Sequence, residues 1–151
     1  MNIRDVITQL IAYQGALAIT APASVTVQKA WPYFPPESVT PEATTPCFMN
    51  EWTLTRVEFA GASRLHRLYT VHSQLLVADM DNDTAADIAT AFDQKVIDML
   101  VAHQTMGGTC VAIGFRGGSP TLAALPRGGR TYIGLDMFID VALEDAVAYG
   151  A

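Results

Sequence analysis

The first eighteen residues carry the pattern of an amphipathic helix. Apolar side chains recur every three or four residues, the spacing of one helical stripe: Ile3, Val6, Ile7, Leu10 and Ile11. Asn2 can cap the first turn, and Asp5 suits the positive end of the helix dipole. Ala21-Pro22 stops any helix, because a residue before proline is pushed out of the α region. We therefore predict a helix over residues 2–18.

The next segment changes from a strand to an extended arm. Residues 24–30 alternate and are rich in β-branched side chains, which predicts a strand. Four of the eight prolines then fall between residues 32 and 41, beside three aromatic residues, and this disfavours a regular element. Long loops in compact domains are usually functional or disordered, and aromatic residues argue against disorder. We predict a Pro-rich arm over 31–50 that docks elsewhere; an arm that wraps its own domain is the alternative.

Two long strands are predicted over 51–60 and 63–79. In the first, Trp52 and Leu54 share one parity whereas Val57 and Phe59 have the other, so the strand needs a bulge or a change of buried face. In the second strand, apolar residues of one parity alternate with polar residues of the other: Arg64, His66, Thr70, His72 and Gln74. This pattern predicts a half-buried antiparallel hairpin.

The last third of the chain predicts a helix, two strands and a loop. The clearest helical stripe spans 84–104, capped by Asp83 or Thr84 and ended by Gly107-Gly108. A short strand over 110–115 and a flexible loop over 116–130 follow. The final strand alternates most regularly, with Ile133, Leu135, Met137, Ile139, Val141 and Leu143 on one face. Tyr132 and Phe138 lie on its other face.

Together these elements predict an α+β fold in a single domain, 1–151. It has a mostly antiparallel four- to five-stranded sheet, two helices packed on one face and a long Pro-rich arm. With half of its residues hydrophobic and 16% charged, the chain of 151 residues is not of the disordered class. Its net charge of −6 argues against a protein that grips nucleic-acid phosphates. No membrane span or secretion signal is recognised, which predicts a chain made in the cytosol with reduced cysteines.

None of the patterns associated with catalysis or metal binding is strong. The acidic run 79–83 lacks the glycine and the terminal glutamate of an EF-hand loop, which favours a solvated turn. His66 and His72 are roughly 20 Å apart on a strand, too far to bind one metal unaided. Gly117-Gly118-Ser119-Pro120 does not fit a nucleophile elbow. We predict no catalytic residue, metal or cofactor; a triad assembled from distant Cys, His and Asp residues stays an alternative.

The apolar and basic surface predicts assembly instead. Aromatic residues on the second face of the last strand, added to those of the arm, exceed the apolar surface that a monomer usually carries. Three arginines at the predicted flexible loop suit an acidic protein neighbour, with a nucleic-acid backbone as the alternative. The predicted interface residues are Trp31, Tyr33, Phe34, Phe48, Arg116, Arg127, Arg130, Tyr132 and Phe138.

The order and size of these elements resemble those of the tail-terminator proteins, which join head to tail in long-tailed bacteriophages. The likeness covers nearly the whole chain. It rests on the helix with Asp5-Val6-Ile7-Thr8-Gln9-Leu10, the segment Ala30-Trp31-Pro32-Tyr33, the hairpin with Arg67-Leu68-Tyr69-Thr70-Val71, the helix with Ala85-Ala86-Asp87-Ile88-Ala89-Thr90-Ala91-Phe92, and the closing strand 132–141.

The resemblance implies a structural virion protein and not an enzyme. Such a protein forms a hexameric ring at the phage neck, is made in the host cytoplasm, ends the tail tube and faces the connector or stopper. DNA passes through its lumen without specific binding, and an acidic channel repels phosphate. The arm 31–50 and the loop 116–130 would contact neighbouring rings or subunits. The alternatives are another neck or tail-tube ring protein and a small-ligand-binding α+β domain.

Overall fold

A computed structural model describes residues 1–37, 44–59, 61 and 63–146 of the chain. In chain order the elements are α1 (Ile3–Gly15), β1 (Ala18–Ile19), β2 (Val25–Thr26), β3 (Lys29–Trp31), β4 (Cys47–Phe59), β5 (Arg64–Asp79), α2 (Ala85–Ala102), β6 (Ala112–Phe115), β7 (Thr121–Arg127) and β8 (Arg130–Ala146).

The main sheet has six strands within the described residues, not the predicted four to five. Its order is β3-β4-β5-β8-β6, and β7 also pairs with β8. Only β3 and β4 run parallel, over Lys29–Trp31, while the other pairs are antiparallel. The predicted α+β class with two helices and a mostly antiparallel sheet is confirmed in this part of the chain. One extra strand comes from the predicted loop 116–130. The predicted strand 24–30 divides into β2 and β3.

Both helices pack on the same face of the sheet, called here the helix face. Val6 and Leu10 of α1 and Phe92 and Val96 of α2 share one buried cluster with residues of the sheet. Burying each large apolar side chain contributes about 2 kcal/mol, so this layer is the main source of stability. The predicted cap of α1 is confirmed, since the Asn2 side chain accepts a hydrogen bond from the Arg4 backbone N–H at 2.9 Å.

A buried polar cluster ties α1 to the sheet within this core. The Gln14 side-chain amide donates to Asn50 Oδ1 and to Ser73 Oγ, both at 3.1 Å. Asn50 Nδ2 donates in return to Gln14 Oε1 at 2.8 Å and to the Trp31 carbonyl oxygen at 2.9 Å. Because these groups satisfy one another, their burial fixes where the end of α1 lies on β4 and β5.

The change of parity predicted in the first long strand is a bulge at Thr55. Leu54 pairs with Tyr69 and Arg56 with Leu68, so Thr55 is the extra residue on β4. Its hydroxyl donates to the Leu68 carbonyl oxygen at 2.8 Å. Because of this extra residue, Leu54 before the bulge and Val57 and Phe59 after it all lie on the helix face.

The predicted flexible loop 116–130 is wrong for residues 121–127, which form strand β7. Arg127 pairs with Arg130 across a two-residue turn, Gly128-Gly129. Both glycines have positive φ, 57° and 80°, the conformation that tight hairpin turns with a glycine pair supply at low cost. Pro126 is tolerated because β7 is an edge strand in the described part of the sheet.

The predicted arm that leaves the domain is also wrong for the residues the structure describes. Trp31 and Phe34 pack against the sheet face opposite the helices, called here the open face, and residues 47–50 begin β4. A second apolar cluster forms there from Cys47, Met49, Leu76, Leu125 and Tyr132, with Trp31 and Phe34 packed on it. This end of the open face is apolar, and its own domain half-buries Trp31 and Phe34 there. Residues 38–43 of the predicted arm lie outside the described residues.

Candidate assembly surface

Three of the predicted interface residues lie inside the subunit, so their predicted surface position is wrong. Phe48 is fully buried beneath the helices, and Tyr132 is buried in the second apolar cluster. Arg127 is only 8% exposed. Its guanidinium Nη2 donates to the carbonyl oxygen of Pro35, which fastens the Pro-rich segment to β7. These side chains stabilise the subunit from within.

Three of the remaining predicted aromatics, Trp31, Phe34 and Phe138, lie on the open face, and Tyr33 contacts Trp31 with ring centroids 5.8 Å apart. Trp31 and Phe34 are half-buried, whereas Tyr33 and Phe138 are exposed. Phe138 stacks on His72 with ring centroids 4.6 Å apart, and Phe34 contacts the same imidazole at 5.5 Å. Tyr132 and Phe138 do share a face, as predicted. Trp31 and Phe34 of the same chain pack on the cluster that contains Tyr132.

The two remaining arginines have carboxylate partners in their own chain. Arg116 Nη2 lies 2.9 Å from Asp140 Oδ1 and donates to Thr70 Oγ1 at 2.8 Å. Arg130 Nη1 lies 3.5 Å from Asp79 Oδ2 at the opposite end of the sheet. The structure therefore accounts for both charges within the subunit, without the acidic neighbour that the sequence suggested.

A ladder of polar contacts to carboxylates runs along the open face. Three carboxylates recur at every fourth residue of β8: Asp136, Asp140 and Glu144. The His72 imidazole Nε2 lies 2.6 Å from Asp136 Oδ1, and His66 Nε2 lies 2.7 Å from Glu144 Oε2. With the Arg116 pair between them, these contacts cover the middle of the open face with solvated polar groups. These contacts hold β5 and β8 in register. In this middle part of the open face, the exposed large apolar side chain is Phe138.

The surface that the sequence prediction missed is the outer half of β4. Strand β3 pairs with β4 only as far as Met49, and in the described chain no strand pairs with β4 on that side from Thr53 to Phe59. All seven of these residues, called here the free edge, are exposed. Leu54, Val57 and Phe59 are 46%, 49% and 65% exposed and lie together on the helix face, because the Thr55 bulge brings them into phase.

The apolar side chains of the free edge are exposed because the strands are longer than the helices. Strand β4 has 13 residues and β8 has 17, which at strand rise span roughly 43 and 56 Å. Helix α2 has 18 residues and spans roughly 27 Å. The two helices therefore leave the far end of the hairpin uncovered. The sequence did contain a sign of this surface. Apolar residues continue to the end of the first long strand, and the predicted helices are too short to cover all of it.

The nucleophiles and metal ligands considered from the sequence do not gather into a site. Burial raises the pKa of the Cys47 thiol to about 11, although a hydrogen bond with Thr44 and the charge of Arg127 oppose that rise. Burial also raises the pKa of Cys110. Among the described residues, no group of three His, Cys, Asp or Glu side chains could hold a metal ion. A depression of about 230 Å³ lies between the hairpin and β8, over Leu68 and Ala142.

Comparison of the chain with protein-family models and with curated proteins finds no match. Within the described residues, no helix is long and apolar enough to cross a membrane.

Proposed function

We propose that the chain is a structural subunit that assembles into a ring. The free edge carries the proposal. Seven exposed strand residues present three large apolar side chains and a row of backbone groups without a strand partner among the described residues. Natural sheets normally protect such an edge with charges, prolines or a covering element, because it invites pairing with another chain. The single arginine and glutamate on this edge, Arg56 and Glu58, are paired with each other at 3.0 Å.

More specifically, we propose a tail-terminator protein of a long-tailed bacteriophage, located at the neck of the virion. Six copies would form a ring that ends the tail tube and presents a docking surface to the connector or stopper. Support comes from the resemblance in element order and size, together with a surface suited to assembly. A net charge of −6 per copy gives the hexamer about −36, which suits a channel through which DNA passes without being held.

Light scattering over a concentration series measures the assembly step. One subunit weighs 16.2 kDa, so a closed hexamer has a mass of about 97 kDa. Adding purified tail tubes measures the second step, and electron microscopy should show the protein at one end of each tube. Assembly into tubes by the protein alone would instead identify a tail-tube subunit. A protein that stays monomeric and leaves tube ends bare would contradict both proposals and favour the ligand-binding alternative.

A further inference from the structure

The free edge carries a charge pattern that is complementary to itself. Side chains alternate along a strand, so Arg56 and Glu58 lie on the open face whereas Val57, between them, lies on the helix face. Arg56 and Glu58 pair with each other at 3.0 Å, and both are exposed. One cation and one anion therefore flank Val57 symmetrically. A second copy turned by half a rotation presents each of these charges with its opposite.

Two copies of the free edge can pair antiparallel about a two-fold axis that passes through Val57, perpendicular to the sheet. Arg56 of each copy then lies directly opposite Glu58 of the other, and Val57 lies opposite Val57. The helices of both copies lie on the same side, so the two sheets join into one. Opposite charges directly across a pair of strands stabilise the pairing, and this arrangement makes two such contacts.

Charge also selects this register over its neighbours. An axis through Arg56 or through Glu58 keeps matching faces together, but it places two identical charges directly opposite each other, which destabilises a strand pair. The pairing about Val57 has a further advantage on the helix face. It brings Phe59 of each copy towards Leu54 of the other, so the exposed apolar side chains of the two edges cover one another.

We propose that, in protein that has not yet assembled into a ring, two copies pair through their free edges about this axis. The occupant of the free edge is then the free edge of a second copy, which gives the outward backbone groups of β4 hydrogen-bond partners. The dimer uses the same edge as the proposed ring, so it must open before that edge can contact a neighbour. The pairing thereby withholds subunits from assembly. Only this last step rests on the proposed function.

Charge reversal tests the contact between copies. Arg56→Glu gives an edge with two carboxylates and Glu58→Arg gives one with two guanidinium groups, so each variant alone should dimerise about tenfold more weakly or worse. Mixing the two variants should restore a dimer of twice 16.2 kDa, about 32 kDa, because each edge now meets the opposite charge. The pair within one chain is lost in both variants and stays lost in the mixture. Restoration therefore reports a contact between chains.

Lys95→Glu and Asp98→Arg are the matched controls, since they change the charge by the same amounts at exposed positions of α2. Alone or mixed, they should dimerise as the unaltered protein does. Masses are measured by light scattering, with circular dichroism to check folding. Equal masses for the mixed and unmixed edge variants would overturn the pairing. An unaltered protein that goes from monomer to ring without a dimer would also overturn it and would leave the ring proposal standing.

A disulfide on the axis provides a second measurement. Directly opposite residues of an antiparallel pair have Cα atoms about 4.5 or 5.5 Å apart, so Val57→Cys should form a linked dimer under mild oxidation. The native Cys47 and Cys110 are buried, so the unaltered protein is the background control. Met80→Cys reports random collision, since Met80 is 56% exposed and follows β5, outside the free edge. Equal linkage of the two variants would overturn the pairing.

The linked Val57→Cys dimer also separates this inference from the neck function. Kept oxidised, it should leave the ends of tail tubes bare, and reduction of the disulfide should restore binding to those ends. Binding by the oxidised dimer would overturn the withholding of subunits. If the unaltered protein dimerises but binds no tube end, the pairing stands and the neck function is contradicted.

Discussion

At the scale of single residues, Asp145 pairs with two cationic groups from different parts of the chain. Its carboxylate lies 2.8 Å from the Met1 ammonium and 2.6 Å from Arg67 Nη2. The hydrogen bond with the Met1 ammonium and the contacts with Arg67 lower the pKa of Asp145 below its ordinary value of 3.8, against a smaller opposing effect of burial. One side chain of β8 thereby holds the start of the chain and β5 together.

The lowered pKa of Asp145 predicts a pH dependence of stability. A carboxyl group whose pKa is lower in the folded state stabilises that state above its unfolded pKa, and the effect is lost as pH falls through the folded value. Asp145→Asn should therefore lower the free energy of unfolding at neutral pH, by less than about 1 kcal/mol because the pair is partly exposed. Well below pH 3.8 the variant and the unaltered protein should converge.

Urea titrations at neutral pH and well below pH 3.8 measure the free energy of unfolding of the variant and of the unaltered protein. Asp98→Asn serves as the control, since Asp98 is exposed on α2 and accepts a hydrogen bond from the Gln94 side-chain amide at 2.8 Å. A loss from Asp145→Asn that is equal at both pH values would show that the side chain acts through packing and not through its charge.

At the scale of elements, β8 passes β5 so closely at one point that only glycine fits. Gly134 pairs with Leu76, next to the bulge at Val77. A Cβ atom on Gly134 would overlap the backbone carbonyl oxygen of Leu75 and press on Leu125. The glycine is therefore required by the close approach of two strands.

Gly134→Ala should destabilise the fold by about 3 kcal/mol, because the backbone of β5 must move to admit the methyl group. Gly114→Ala is the matched control in the same sheet, where the added Cβ meets no atom within 4 Å. Thermal unfolding of the two variants should show a large loss for the first and a small change for the second. Similar melting temperatures for the two would contradict the close approach.

The elements that the sequence predicted well are those that depend on local pattern. The stripes of α1 and α2 and the alternation of β8 each lie within one segment, and so does the parity change that required the Thr55 bulge. Helix ends were less accurate: α1 ends at Gly15 and α2 at Ala102, before the predicted residues 18 and 104. Strand β7 was missed because its alternation is weak, and its pairing with β8 is what makes it a strand.

The sequence prediction missed the candidate surface because the exposure of a side chain depends on which distant elements pack on it. Phe48 and Phe59 are both aromatic residues of the same strand, yet one is fully buried and the other is 65% exposed. The difference is which part of β4 the helices cover. In the same way, the aromatic residues near Trp31 pointed correctly to an apolar surface, but that surface is the second face of their own sheet.

At the scale of the whole molecule, the acidic residues are concentrated in a part of the sequence that follows the hairpin with the free edge. The chain has 15 acidic and 9 basic residues. Six of the acidic residues fall between Asp79 and Asp98, where Lys95 is the only basic residue. The hairpin with the free edge carries Arg56, Arg64 and Arg67 against Glu51 and Glu58. Assembly through the free edge would thus keep the acidic end of one subunit out of the contact.

The acidic balance predicts that the assembled protein does not retain DNA. In a gel-retardation assay at low salt, where phosphate binding is strongest, double-stranded DNA should migrate as it does without the protein. A basic DNA-binding protein in a parallel lane confirms that the assay detects retention. Retardation that weakens steeply with added salt would show that phosphates are gripped and would contradict a channel that lets DNA slide.

The bulge at Thr55 also determines how the length of this hairpin can vary among descendants of the gene. Loss of the codon for Thr55 would leave a regular strand in which Leu54 and Arg56 are consecutive, as their partners Tyr69 and Leu68 already are, so Val57 and Phe59 would stay on the side of Leu54. Loss of the codon for Glu58 would instead move Phe59 to the opposite side. A single-codon deletion should therefore be tolerated at Thr55 and selected against at Glu58.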